Sequence, residues 1–87
     1  MNMTTQFKTV QTHPAVMEHL WDVAHQVGGR VCDTAPDFRV VCEEGWQEAR
    51  VTVSGRLDGN SYCGQARARD VFEAADRAFA QLEAKAR

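Results

Sequence analysis

No run in the 87-residue chain approaches the roughly 20 apolar residues that a membrane-spanning helix requires, so a helical span is excluded. The first ten residues hold one lysine and no apolar segment, which is not the pattern of a secretory signal. Cysteine is sparse. There are three, an odd number with no C-x-x-C pair, which argues against a disulfide framework and fits a reducing cytoplasm. Positive charge is not in excess. Ten Lys and Arg stand against twelve Asp and Glu, a formal net charge of −2, so any contact with nucleic acid has to come from a local patch. There is no internal repeat, linker or low-complexity tract. What remains is ordinary globular composition, 44% hydrophobic and 25% charged, expected to form one domain over residues 1–87. A core of that size supports a stability on the order of 5 kcal/mol.

Hydrophobic periodicity divides the chain. From His13 to Gly29, Val16, Leu20, Val23 and Val27 recur at helical spacing, with Met17, Trp21 and Ala24 widening the stripe. Pro14 suits a first helical turn capped by Thr12 or His13, and Gly28-Gly29 reads as the terminator. Arg30 to Asp37 reads as a connection. Asp37 to Glu43 alternates, with Phe38, Val40 and Cys42 on one face. After a turn at Glu44-Gly45, Ala49, Val51 and Val53 share a face opposed to Glu48, Arg50 and Thr52, and the run extends towards Leu57. Asp58-Gly59-Asn60 is a turn signal. Ser61 to Arg69 then sets Tyr62, Gly64, Ala66 and Ala68 against Cys63, Gln65, Arg67 and Arg69. Asp70 to Arg87 has a second helical stripe, Phe72, Ala75, Phe79, Leu82 and Ala86, behind an Asp70/Glu73 capping signal. With a first strand over Thr4 to Val10, the order is β-α-β-β-β-α. The expected fold class is α+β, a two-layer sandwich whose four-stranded sheet carries two helices on one face.

That order and the stretch Asp70-Val71-Phe72-Glu73-Ala74-Ala75-Asp76 resemble the short form of the ribosome hibernation-promoting factors, or ribosome-associated translation inhibitors. In that family the last strand runs into the second helix through an Asp, an apolar residue, an aromatic, two variable positions, an apolar residue and a second Asp. The Gly55 to Gly64 hairpin fits as well. The resemblance implies a cytoplasmic protein without catalytic residues or cofactor. Such a protein binds the small ribosomal subunit and its rRNA and restrains translation under stress. The chain departs from the family's lysine-rich helices. Its first helix has no Lys or Arg before Arg30 and carries Glu18 and Asp22.

Candidate contact residues follow from the alternation. Arg39, Arg50, Arg67 and Arg69 fall on the face away from the helices, joined by Lys8, by Arg77 near the start of the second helix and by Lys85 near its end. Eight of the ten basic residues are arginine, whose planar fork suits phosphate. The same residues also read as a solvated face with Glu43 and Glu48 pairing across strands. Trp46 beside a turn reads either as a base-stacking ring or, by preference, as a cover for the end of the core; Trp21 reads as partly buried. His13, His19 and His25 are spaced by six, which spreads them around a helix and completes no metal site. Cys42 is expected buried and inert, and no residue is placed to activate Cys63. The competing function is a protein-interaction module on the same fold. It would act as a homodimer or adaptor through a sheet edge or the outer face around Val41, without RNA.

Overall fold

In the computed structural model, which describes residues 1–8 and 14–87, the elements are β1 (Asn2–Lys8), α1 (Pro14–Val31), β2 (Asp37–Glu44), β3 (Ala49–Leu57), β4 (Asn60–Ala68) and α2 (Val71–Ala86). The sheet order is β1-β2-β3-β4. β1 runs parallel to β2, and the other two pairings are antiparallel. This is the expected β-α-β-β-β-α sandwich.

Alternation builds the sheet. Phe38, Val40 and Cys42 of β2 and Val51 and Val53 of β3 are almost fully buried under the helices. Their helical counterparts are Leu20 and Val27 of α1 and Ala74, Ala78, Phe79 and Leu82 of α2. Phe38 meets Phe79 edge to face, ring centroids 5.5 Å apart. Two glycines make this packing possible. A Cβ on Gly64 would collide with the backbone of Ala78, and one on Gly55 would press on Phe38 and Leu82 at 3.0–3.1 Å. Asp70 caps α2 as expected, accepting a 2.8 Å bond from the Glu73 amide.

Four expectations are corrected. The first strand starts at Asn2 rather than at Thr4, because its start is tied to β2: Asn2 pairs with Asp37, and its amide donates to the Pro36 carbonyl at 3.1 Å. Val10 and the expected caps Thr12 and His13 lie outside the described residues. Gly28-Gly29 does not end α1, which continues through Arg30 to Val31. Gly28 is instead a contact point, since a Cβ there would lie 2.8 Å from the Pro36 ring. Phe72 has the expected helical phase, but α1 rather than the core lies opposite it. It is 39% exposed, and its ring meets His19 at 5.2 Å. Trp46 covers nothing and is 91% exposed.

The helices are locked to each other by charge. Arg30 of α1 grips Glu83 of α2 through two bonds, 2.5 and 3.0 Å, and Arg87 adds a third at 3.1 Å. Glu83 is buried to 9% exposure, and these bonds satisfy it. Further along, His19 and Asp76 approach to 2.7 Å.

α2 also closes the free edge of β4. Lys85 donates to the Cys63 carbonyl at 2.7 Å, the Gln65 amide donates to Gln81 Oε1 at 3.1 Å, and Arg77 reaches the Arg67 carbonyl at 3.5 Å. The spacing explains the match. Four helical residues advance about 6 Å and two strand residues about 6.7 Å, so every fourth helix position meets every second strand position.

Candidate nucleic-acid interface

The face of the sheet away from the helices is organised in rows set by strand register. The first row is Lys8, Glu43, Arg50 and Arg67. The second is Gln6, Val41, Thr52 and Gln65, in which Gln65 donates a 3.1 Å bond to the Thr52 hydroxyl. The third is Thr4, Arg39, Ser54 and Cys63, and the fourth Asn2, Asp37, Arg56 and Ser61.

Of the residues expected to contact nucleic acid, Lys8, Arg39, Arg50 and Arg67 stand on this face, with Arg69 one residue past the end of β4. Their electrostatic situations differ. Arg50 is held by Glu43 at 2.9 Å. Arg67 lies 4.0 Å from Glu48, too far for a hydrogen bond, and its side chain is 63% exposed. Arg39 and Arg69 are exposed and make no ion pair with the described residues. Arg77 and Lys85 are not part of the outer face. Both are committed to the β4 edge, and Arg77 is further held by Glu73 at 2.6 Å.

Two further residues stand out on this face and its rim. Arg56 is exposed and likewise unpaired among the described residues, and with Arg39 it borders a shallow depression that also contains Thr4, Ser54 and Ser61. The signal was present: Arg50, Thr52, Ser54 and Arg56 continue one alternation. Trp46 is the other. It stands on the β2–β3 turn and borders a depression of about 270 Å3 with Glu43, Gly45, Glu48, Arg50 and Arg67.

Of the three cysteines, Cys63 is exposed, Cys42 buried and Cys32 half-buried. Burial pushes the Cys42 thiol up to about 11, so it stays protonated at neutral pH. Cys32 is also raised, chiefly by burial and then by the charge of Asp58. Asp58 itself is held low by the Thr34 hydroxyl and by the amides of Asp33 and Thr34, which it ties to the β3–β4 turn. Among the described residues, no three His, Cys, Asp or Glu side chains gather as a metal site. Among the described residues, no helix is long and apolar enough to cross a membrane.

No protein-family model and no curated protein matches the sequence. Solved structures do match the fold. The N-terminal domain of Thermus thermophilus Protein Y superposes with a TM-score of 0.90 at 21% identity, covering 99% of this chain and 96% of that one. A ribosomal subunit interface protein from Coxiella burnetii superposes with a TM-score of 0.82 at 17% identity, covering 99% and 93%. At these identities the likeness establishes a shared fold over the whole chain.

Proposed function

We propose that this protein is a non-catalytic, cytoplasmic, ribosome-associated factor that binds small-subunit rRNA through phosphate contacts and restrains translation under stress. The observation that carries the reading is a sheet face left open by both helices, with Arg39 and Arg56 exposed and free of carboxylate partners among the described residues and Arg69 at its end. The fold shared with a ribosomal subunit interface protein supports the choice of partner. A guanidinium already bound to a carboxylate gains less from a phosphate, so the three unpaired arginines dominate. These three contacts alone predict that affinity falls at least about 20-fold between 50 and 200 mM salt. Sedimentation with excess small subunits through sucrose gradients over that range tests the reading. A chain that stays at the top of the gradient at low salt removes it.

The second reading is a protein-interaction module, a homodimer or adaptor. It draws support from the pairing of Arg50 with Glu43 and of Arg77 with Glu73, which reduces the positive field. Light scattering on the purified chain, with and without RNA, separates the two. A tight dimer that RNA does not affect favours the second.

A further inference from the structure

We infer that Trp46 is a stacking platform for an unpaired RNA base, with Arg67 beside it to hold the adjoining phosphate. The inference rests on the ribosome-binding reading and adds to it a specific contact with single-stranded RNA.

A tight turn holds the ring. The β2–β3 turn is closed by the Gly45 amide donating to the Glu48 carbonyl at 2.7 Å, and Gln47 takes a left-handed φ of 71°. Trp46 therefore sits in a tight turn between two long strands, not on a loose loop. Trp46 is nevertheless 91% exposed, whereas the chain's other tryptophan, Trp21, is half-buried. Leaving the largest apolar side chain in water forfeits the gain of burying it.

The surroundings select the occupant. A tryptophan anchoring a protein interface works within an apolar patch sealed from water. Here the residues bordering the same depression are Gly45, Glu43, Glu48, Arg50 and Arg67, with no apolar side chain among the described ones. A nucleobase needs less: one open ring face and a cation one phosphate away. Arg67 meets that requirement, being 63% exposed and beyond hydrogen-bond reach of Glu48. Glu43, the other nearby carboxylate, is neutralised by Arg50. A base stacked within a duplex offers no free face, so the partner is single-stranded.

The test uses the intact chain, small ribosomal subunits, and a ten-nucleotide purine-rich single strand with its duplex as probes. Single-stranded RNA is expected to quench Trp46 emission in a Trp21→Phe variant, and the duplex is not. Trp46→Ala is expected to weaken subunit binding about 5- to 100-fold with an unchanged salt slope, since stacking is not ionic. Trp46→Phe keeps a ring and is expected within about threefold of the parent. Arg67→Ala is expected to lower the salt slope by about one. Parent-like subunit binding by Trp46→Ala overturns the stacking role and leaves ribosome binding standing. Weakened binding without quenching by single-stranded RNA assigns the ring to a protein contact and also overturns it. Failure of the parent chain to bind subunits overturns the ribosome reading itself.

Discussion

Gly64 of β4 lies directly under the backbone of Ala78 in α2, so closely that a single added methyl would run into the Ala78 carbonyl oxygen and approach the Leu82 amide at 3.0 Å. The helix can lie there only because the strand offers no side chain at that point. Gly64→Ala is therefore expected to lift α2 from β4 and to destabilise the fold by about 1–3 kcal/mol. In a domain of this size each kcal/mol lowers the melting temperature by about 4–8 °C. Differential scanning calorimetry checks this. A melting temperature within a degree of the parent would mean that the helix yields without cost.

The Arg30–Glu83 link predicts the acid side of the stability profile. The Arg30 guanidinium holds the Glu83 carboxyl below its ordinary value, and Arg87 adds to the effect. A carboxyl with a depressed folded value contributes stability above its unfolded value of about 4.3 and loses it as pH falls through the folded one. Asp58 is depressed as well, by the Thr34 hydroxyl first, so it titrates in the same direction. Thermal stability is expected to decline from about pH 5 downward. Glu83→Gln is expected to be less stable at pH 7 and to show a shallower acid decline, retaining the Asp58 part. Parallel pH profiles for the two proteins would show that the link does not contribute.

Much of this architecture is legible in the residues. Strand alternation placed Phe38, Val40, Cys42, Val51 and Val53 inward and Arg39, Arg50 and Arg67 outward, as found. The helical stripe placed Phe79 and Leu82 in the core, as found. What escaped the reading depends on partners distant in sequence. Gly28 carries the signature of a terminator, but Pro36 decides that it is a packing contact. Phe72 is in phase with the core, but His19 lies opposite it. Trp46 reads as core cover by residue type, and only the turn that projects it shows otherwise. Arg77 and Lys85 look like free cations in the sequence, and the antiparallel path of α2 beside β4 gives them backbone carbonyls instead.

That ladder of Arg77, Gln81 and Lys85 makes a prediction about self-association. Exposed strand edges are templates for pairing with another chain, and proteins cover them. The three side chains occupy backbone groups of Cys63, Gln65 and Arg67 that would otherwise face water. Replacing all three with alanine is expected to leave the core intact and to promote concentration-dependent association. Light scattering from micromolar to millimolar protein would show it. The same association state as the parent across that range would show that the edge needs no cover.

Charge reversal discriminates between regions of the outer face. Arg67 and Arg69 are exposed, so changing both to Glu is expected to preserve the fold while weakening binding to small subunits at least tenfold and lowering the salt slope by nearly two. Arg39 and Arg56 are exposed too, and neither is paired among the described residues, whereas Arg67 has Glu48 at 4.0 Å. Their double change to Glu is expected to cost at least as much, because no carboxylate offsets either charge in the parent. Circular dichroism establishes that each variant is folded, and gradient sedimentation at 50 and 200 mM salt gives affinity and slope. A loss confined to the Arg67/Arg69 pair would centre the contact on the Trp46 end of the sheet. A loss confined to Arg39/Arg56 would move it to the depression beside Ser54. Parent-like sedimentation by both double variants would mean that the open face of the sheet is not what meets RNA.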